Sequence, residues 1–300
     1  MNNQTLLASI GNTPLVTVPL TKKGTIQAKL EYLNPGGSIK DRSSAYMIEH
    51  AEKTGLLKPG YTIIDASSGN QGIATAMIGA AKKYPVIISV SEKISAEKLQ
   101  TLRAYGAQVH MCPATQLIED PQNYHSQAVA LQKKTPNSFM PNQYFNPVNA
   151  LGHYHSLGPE IWNQTNGKVT HFFAGAGTGG TVSGAGKYLK EKNPNIKNIA
   201  IDSNNSFRAT KGNPKPYKIE GLGIDFVSPV IDYSVIDDIV EVSDEAGLGM
   251  LKPLAQQGFL VGPSSGAVAW AAQQYPLTED DYAVIIFGDS GRAYLSKKFY

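Results

Sequence analysis

The sequence has almost no cysteine. Cys112 is the single one in 300 residues, which excludes an internal disulfide and a cysteine-rich metal site, and points to a reducing cytoplasm. It also lacks any uninterrupted apolar run of about 18 residues, so no membrane span is expected. MNNQTLLASIGNTPL has no basic start followed by a long apolar stretch, so no secretory signal is expected. An excess of charge of either sign is also lacking. A net charge of +3 from scattered residues gives no basic footprint for nucleic acid. Histidine is missing from the last third of the chain: His171 is the final one. That absence removes the hydrolase reading of Gly262-Pro263-Ser264-Ser265-Gly266, because a nucleophile elbow needs an acid and then a histidine downstream.

What is present is an alternation of apolar strand-like runs and helical patterns. Strands are expected at 25–30, 61–66, 85–90, 108–111, 170–174, 198–201, 237–242 and 283–287. Helices are expected near 38 onward, 70–83, 95–105, 123–134, 153–164, 181–192, 244–257 and after Ser264. This is an α/β chain with two mostly parallel open sheets covered by helices on both faces. A composition change near Pro141–Pro147 divides it. The expected units are a smaller one at 36–147 with about the first ten residues, and a larger one at 148–300, joined by 12–35.

Four loops carry chemistry. Gly175, Gly177 and Gly180 form G-x-G-x-x-G between a strand and a helix, with Asp202 ending the next strand. Taken alone, the loop leaves open a dinucleotide pyrophosphate with Asp202 on a ribose, a single terminal phosphate helped by Thr178 and Thr181, or a tight turn. Ser67-Ser68-Gly69-Asn70-Gln71-Gly72 suits a small anion such as a carboxylate, or is an ordinary capped turn. Gly262-Pro263-Ser264 opens a helix. Asn34-Pro35-Gly36-Gly37-Ser38-Ile39-Lys40-Asp41-Arg42 puts a lysine in a first helical turn, where the positive end of the dipole favours the neutral amine that forms Schiff bases.

Together, IGNTPL at 10–15, NPGGSIKDR at 34–42, SSGNQG at 67–72, NQYFNP at 142–147, GAGTGGTVSG at 175–184 and GPSSGA at 262–267 resemble the fold-type II, tryptophan synthase β-like, pyridoxal-phosphate enzymes. Within them the chain is similar to the cysteine synthase and cystathionine β-synthase family. The stretches 119–124 (EDPQNY), 220–226 (EGLGIDF) and 289–296 (DSGRAYLS) look closest to bacterial cystathionine β-synthases. With the chain stopping at Tyr300, no C-terminal regulatory repeat pair is expected, and no N-terminal heme-binding extension is expected either.

The resemblance implies pyridoxal 5′-phosphate as cofactor and no metal. It implies that Lys40 bonds the cofactor and acts as general base, and that Asn70 meets the ring oxygen. Gly177, Thr178, Gly179, Gly180 and Thr181 would hold the phosphate, and Ser264 would face the pyridine nitrogen. Ser67, Ser68, Gln71 and Gln143 would surround the substrate carboxylate, and Gly221 and Gly223 would border the acceptor. The implied activity is β-replacement, as a lyase or transferase of cysteine and amino-acid biosynthesis in the cytoplasm. The expected reaction makes cystathionine from L-serine, or an activated serine, and homocysteine. The alternative is cysteine synthesis from O-acetylserine or O-phosphoserine and sulfide; a NAD-dependent oxidoreductase is a remote third. The expected partners are small amino-acid and thiol substrates and a second copy in a homodimer, with no nucleic acid and no membrane.

Overall fold

The computed structural model describes residues 5–21, 23–115 and 118–300. The first four residues of the N-terminal segment lie outside that set. Ten strands and ten α-helices are described: β1 (Leu15–Thr17), β2 (Thr25–Leu30), α1 (Lys40–Lys53), β3 (Thr62–Ala66), α2 (Asn70–Lys82), β4 (Val86–Ser91), α3 (Ala96–Ala104), β5 (Gln108–Cys112), α4 (Tyr124–Lys134), β6 (Ser138–Phe139), α5 (Val148–His155), α6 (Leu157–Gln164), β7 (His171–Gly175), α7 (Gly180–Lys192), β8 (Lys197–Ser203), β9 (Asp238–Val242), α8 (Asp244–Gly249), α9 (Leu251–Gln256), α10 (Pro263–Gln274) and β10 (Tyr282–Phe287). Among the described residues, no helix is long and apolar enough to cross a membrane.

The strands form two sheets. One has the order β1-β2-β10-β7-β8-β9, parallel except for β1. The other, β5-β4-β3-β6, is parallel throughout. The α/β class and the two mostly parallel sheets are as the sequence predicts. The alternation along β10 shows why both faces of the larger sheet are covered. Ala283, Ile285 and Phe287 pack with α9 and α10, whereas Val284 and Ile286 pack with α6 and α7. In the smaller sheet, Ile63 and Ile88 face α2, while Ile64 and Ala66 face α4.

Two helices drawn whole from the sequence are each broken in two. The stretch read as one helix at 153–164 is α5 followed by α6, and 244–257 is α8 followed by α9. The cause is the same. Pro159 and Pro253 lack an N–H, and a proline ring crowds the carbonyl four residues earlier. Those carbonyls belong to His155 and Gly249, the last residues of α5 and α8. The strands β1 and β6, three and two residues long, have no counterpart in the sequence reading.

Candidate active site

The chemistry-bearing loops meet at the carboxyl ends of parallel strands, where an open α/β sheet holds its ligands. The β3–α2 turn brings Ser67–Asn70, the β7–α7 turn brings Gly175–Gly179, and β10 runs into Gly288 and Asp289. The start of α1 is stitched to this place. Ile39 N donates to Gly288 O at 2.8 Å, and Ser38 pairs with Asp289 in an isolated bridge.

A narrow slot is lined by Lys40, Asn70, Gly177, Thr178, Gly179, Thr181, Gly221 and Ser264. It shares the walls at Lys40, Asn70, Gly177, Thr178 and Gly221 with a wider cleft of about 580 Å³. Ser67, Ser68, Gln71, Gln143 and Gly223 line that cleft. The fold therefore brings together thirteen of the residues singled out in the sequence. Gly180 is the exception. It lines neither cavity, because it lies at the start of α7 against Asn149.

Burial holds the Lys40 amine at about 8, well below the usual lysine range, and Asp289 opposes that shift as the nearby counter-charge. Ser264 Oγ makes no hydrogen bond among the described residues. A Cβ at Gly221 or at Gly288 would lie 3.6 or 3.8 Å from it, so the hydroxyl sits between two glycines.

The glycine loop fits a single phosphate. A Cβ at Gly177 would come 2.7 Å from Gly221 O, and one at Gly179 would collide with Ile231. Gly179 also has φ +89°, a left-handed conformation suited to glycine. Side chains are thereby excluded and backbone amides are left at the slot, together with the positive end of the 13-residue α7. Thr178 Oγ1 accepts from Asn149 Nδ2 at 3.2 Å and from Gly180 N at 3.4 Å, which leaves its own proton free for an anion. Amine, carboxamide, hydroxyls and amides in one slot are the donor set that pyridoxal phosphate requires. Gly179→Val should destabilise the protein by about 2 to 5 kcal/mol through backbone strain and overpacking. Urea unfolding checks this, and a loss below about 1 kcal/mol would mean the loop can relax away from Ile231.

Two sequence-derived details take a definite form in the structure. Asp202, the candidate ribose partner, is already engaged: Ser206 Oγ and Arg208 Nε each donate to its Oδ2 at 2.8 Å. The dinucleotide reading loses its acid. Gln71 is turned partly away from the cleft, with Nε2 at 3.3 Å from both Asp65 Oδ2 and Thr75 Oγ1. Its Oε1 is buried without a partner among the described residues, as is that of Gln143. Both oxygens are buried acceptors left without a donor among those residues.

Other residues at the site had no role in the sequence reading. Asp289 accepts from Asn70 Nδ2 at 2.7 Å and from Tyr294 Oη at 2.5 Å. Lys98 Nζ stands 4.3 Å from the Tyr294 ring centroid and pairs with Glu220 at 2.5 Å, which joins α3 to the loop carrying Gly221. Tyr124, Tyr144 and Tyr217 also line the cleft. Asp289, Glu220, Tyr124 and Tyr144 all sit inside family-like stretches, which was the available signal.

The chain matches the family described as pyridoxal-phosphate dependent enzyme over residues 6–289. It is 44% identical to a cystathionine beta-synthase of Apis mellifera over 97% of this chain and 60% of that protein. It is 40% identical to the cystathionine beta-synthase of Saccharomyces cerevisiae over 96% of this chain and 61% of that one. The chain thus spans about three-fifths of the length of these relatives. Among solved structures, the O-acetylserine dependent cystathionine beta-synthase of Helicobacter pylori superimposes with a TM-score of 0.91 at 39% identity. That match covers 100% of this chain and 99% of the other. A hydrogen sulfide-producing enzyme of Fusobacterium nucleatum does so with 0.90 at 37% identity, covering 98% of each. With the Lys40 slot and the glycine loop in place, these matches establish that the chain belongs to the pyridoxal-phosphate dependent enzyme family, in its cystathionine β-synthase and cysteine synthase branch.

Proposed function

We propose that this chain catalyses β-replacement on serine or an activated serine, with homocysteine as the thiol acceptor and cystathionine as the product. The observation that carries the reading is that the Lys40 slot opens into a separate cleft of about 580 Å³. That space falls in the range of small-molecule sites and is more than sulfide needs. The relative from Helicobacter pylori is named for O-acetylserine, which favours an acylated donor.

In this reading Lys40, Asn70, Ser264 and the amides of Gly177–Gly179 hold pyridoxal phosphate. When bound, the cofactor supplies the electron sink for loss of the β-substituent. The chain's own contribution is positional and protonic. Lys40 Nζ, kept partly neutral by burial, takes the α-proton as general base. Ser264 presents a neutral hydroxyl to the ring nitrogen, so it withdraws fewer electrons than a charged partner would. Ser67 and Ser68 are held at the cleft wall by backbone amides, with Ser67 Oγ accepting from Gly69 N and Ser68 Oγ from Ser91 N at the end of β4. Gln143 offers its carboxamide to the substrate carboxylate beside Ser67 and Ser68, whereas Gln71, its nitrogen held by Asp65 and Thr75, can only accept there. The acceptor enters past Gly221 and Gly223, whose positive φ values of 87° and 65° call for glycine. A homodimer belongs to the same proposal, and sedimentation of the holoprotein tests it.

Two measurements follow. Serine, O-acetylserine and O-phosphoserine are each paired with homocysteine or sulfide. Cystathionine formation should exceed cysteine formation in kcat/KM by about tenfold with the best donor, a difference of about 1.4 kcal/mol in barrier. Fast cysteine synthesis with undetectable cystathionine would move the chain to cysteine synthase. Separately, cofactor uptake by the apoprotein should accelerate as pH rises through about 8, because the neutral Lys40 amine is the reacting form. Stopped-flow absorbance reads this rate, and no acceleration until pH 10 would rule out the shifted lysine.

A further inference from the structure

We propose that Asp289 is a positioning residue, whose carboxylate aims the Asn70 carboxamide into the slot and serves as the counter-charge to the Lys40 ammonium. The inference rests on the roles proposed above for Lys40 and Asn70.

Asp289 is 3% exposed, so its carboxylate is removed from water. A buried carboxylate is retained only where hydrogen bonds and a cation offset its desolvation. Oδ2 has two donors, the Asn70 carboxamide and the Tyr294 hydroxyl. Oδ1 has no partner among the described residues, and it packs against Gly262, where a side chain would collide with it. The carboxylate is therefore clamped on one oxygen by Asn70, which lines the slot, and by Tyr294, which lines the wider cleft. Its backbone already ties the loop down without the side chain: Gly262 N donates to Asp289 O at 3.0 Å, and Ser38 bridges from the other side. Anchoring the loop does not explain why the side chain is an acid.

Geometry supplies that explanation. Asn70 is the first residue of α2 and Asp289 follows β10, so the hydrogen bond spans the two sheets. A carboxamide nitrogen has two protons. With one fixed on Asp289 Oδ2, the direction of the other is set, and the amide cannot flip. Lys40 is faced by two titratable groups, Asp289 and His153 of α5, and Asp289 is the anion of the two. Asp289 is itself faced by Lys98 of α3, by Glu220 of the loop before β9, and by Tyr294 and Tyr300 near the C-terminus. Burial pushes the Asp289 carboxyl up, and Lys98, which also pairs with Glu220, pulls it back down; Lys40 lines the same slot as Asp289, and there the carboxylate is its counter-charge.

Two readouts separate positioning from a merely structural role. First, the dissociation constant of pyridoxal phosphate is measured by absorbance titration of the full-length apoprotein. Asp289→Ala should weaken binding about tenfold in the wild-type background, but less than about twofold on top of Asn70→Ala, because the two act through one contact. Second, Lys40 is labelled with acetic anhydride across a pH series and quantified by peptide mass spectrometry. The Asp289→Asn midpoint should fall by about one pH unit, since losing a nearby anion destabilises the ammonium. The asparagine variant keeps the shape, so its midpoint decides the matter if the alanine variant does not fold. Equal losses in both backgrounds, or an unmoved midpoint, overturns the role of Asp289. Failure of the wild type to attach pyridoxal phosphate at Lys40 overturns instead the proposed function on which it stands.

Discussion

Replacing Lys40 by alanine should abolish covalent attachment of the cofactor and lower turnover by at least about 10³-fold, within the range that a positioned base supplies on its own. The fold should survive. Lys40 Nζ donates no hydrogen bond among the described residues, and the amine is desolvated at the foot of the cleft, so its removal forfeits little. The start of α1 is held by backbone instead, through Ile39 N to Gly288 O and Lys40 N to Ser38 Oγ at 3.2 Å. Alanine is also the best helix former for the 14-residue α1. Compared as apoproteins, variant and wild type should therefore melt within a degree or two of each other, and the variant should remain colourless after borohydride treatment and dialysis. A variant that keeps a reducible adduct on another lysine would take the role from Lys40. Melting well below wild type would show that the amine is structural.

Much of the architecture was legible because each strand is a contiguous apolar run and each helix begins at a recognisable turn. Ser95 illustrates this: it opens the helix expected at 95–105, and its side chain caps that helix by accepting from Lys98 N. The helix breaks at His155 and Gly249 were less visible, although Pro159 and Pro253 stood in plain view. The apolar spacing continues across both breaks and outweighed the missing N–H groups. The cofactor loops were legible for a related reason, since each is local, with glycine, hydroxyl and helix start inside a few residues. The polar group that links them was not. Asn70 and Asp289 lie 219 residues apart and Lys98 and Glu220 lie 122 apart, and no local pattern records pairings of that kind. Gln71 shows the same limit in reverse. Its position in SSGNQG pointed to the cleft, but Asp65 on β3 draws its carboxamide nitrogen inward.

Arg42 should carry the largest stability effect. It lies two residues beyond Lys40 in α1 and is buried among ions. Its Nε and Nη2 donate to Glu31 at 2.7 and 2.9 Å, and its Nη1 and Nη2 donate to Glu160 at 2.6 and 2.8 Å. Lys29 completes the cluster at 2.7 Å from Glu160, and Thr13 Oγ1 donates to Glu31 at 2.6 Å. Two cations meet two anions, so the cluster is neutral, and bidentate geometry satisfies the guanidinium on two sides. Arg42→Met keeps the volume but strands two carboxylates with one lysine. Removing one partner of a buried pair costs about 3 to 5 kcal/mol, which for a chain of this size means roughly 6 to 20 °C in Tm. The penalty should depend on pH in a definite direction. Arg42 and Lys29 hold the Glu160 carboxyl at about 2, below its ordinary 4.5, even though burial pulls the other way. A depressed carboxyl contributes stability above its unfolded value and loses it as pH falls toward the folded one. The wild-type advantage should thus be full at pH 6 to 7 and narrow once pH drops through about 4.5 toward 2, as the stranded carboxylates of the variant take up protons. Urea denaturation of both proteins at pH 7, 5 and 4 measures the gap. A gap that stays constant or widens on acidification would mean that Arg42 stabilises by packing rather than by charge. Cofactor affinity offers a second check, because the same guanidinium ties α1, and with it Lys40, to Glu31 just after β2 and to α6.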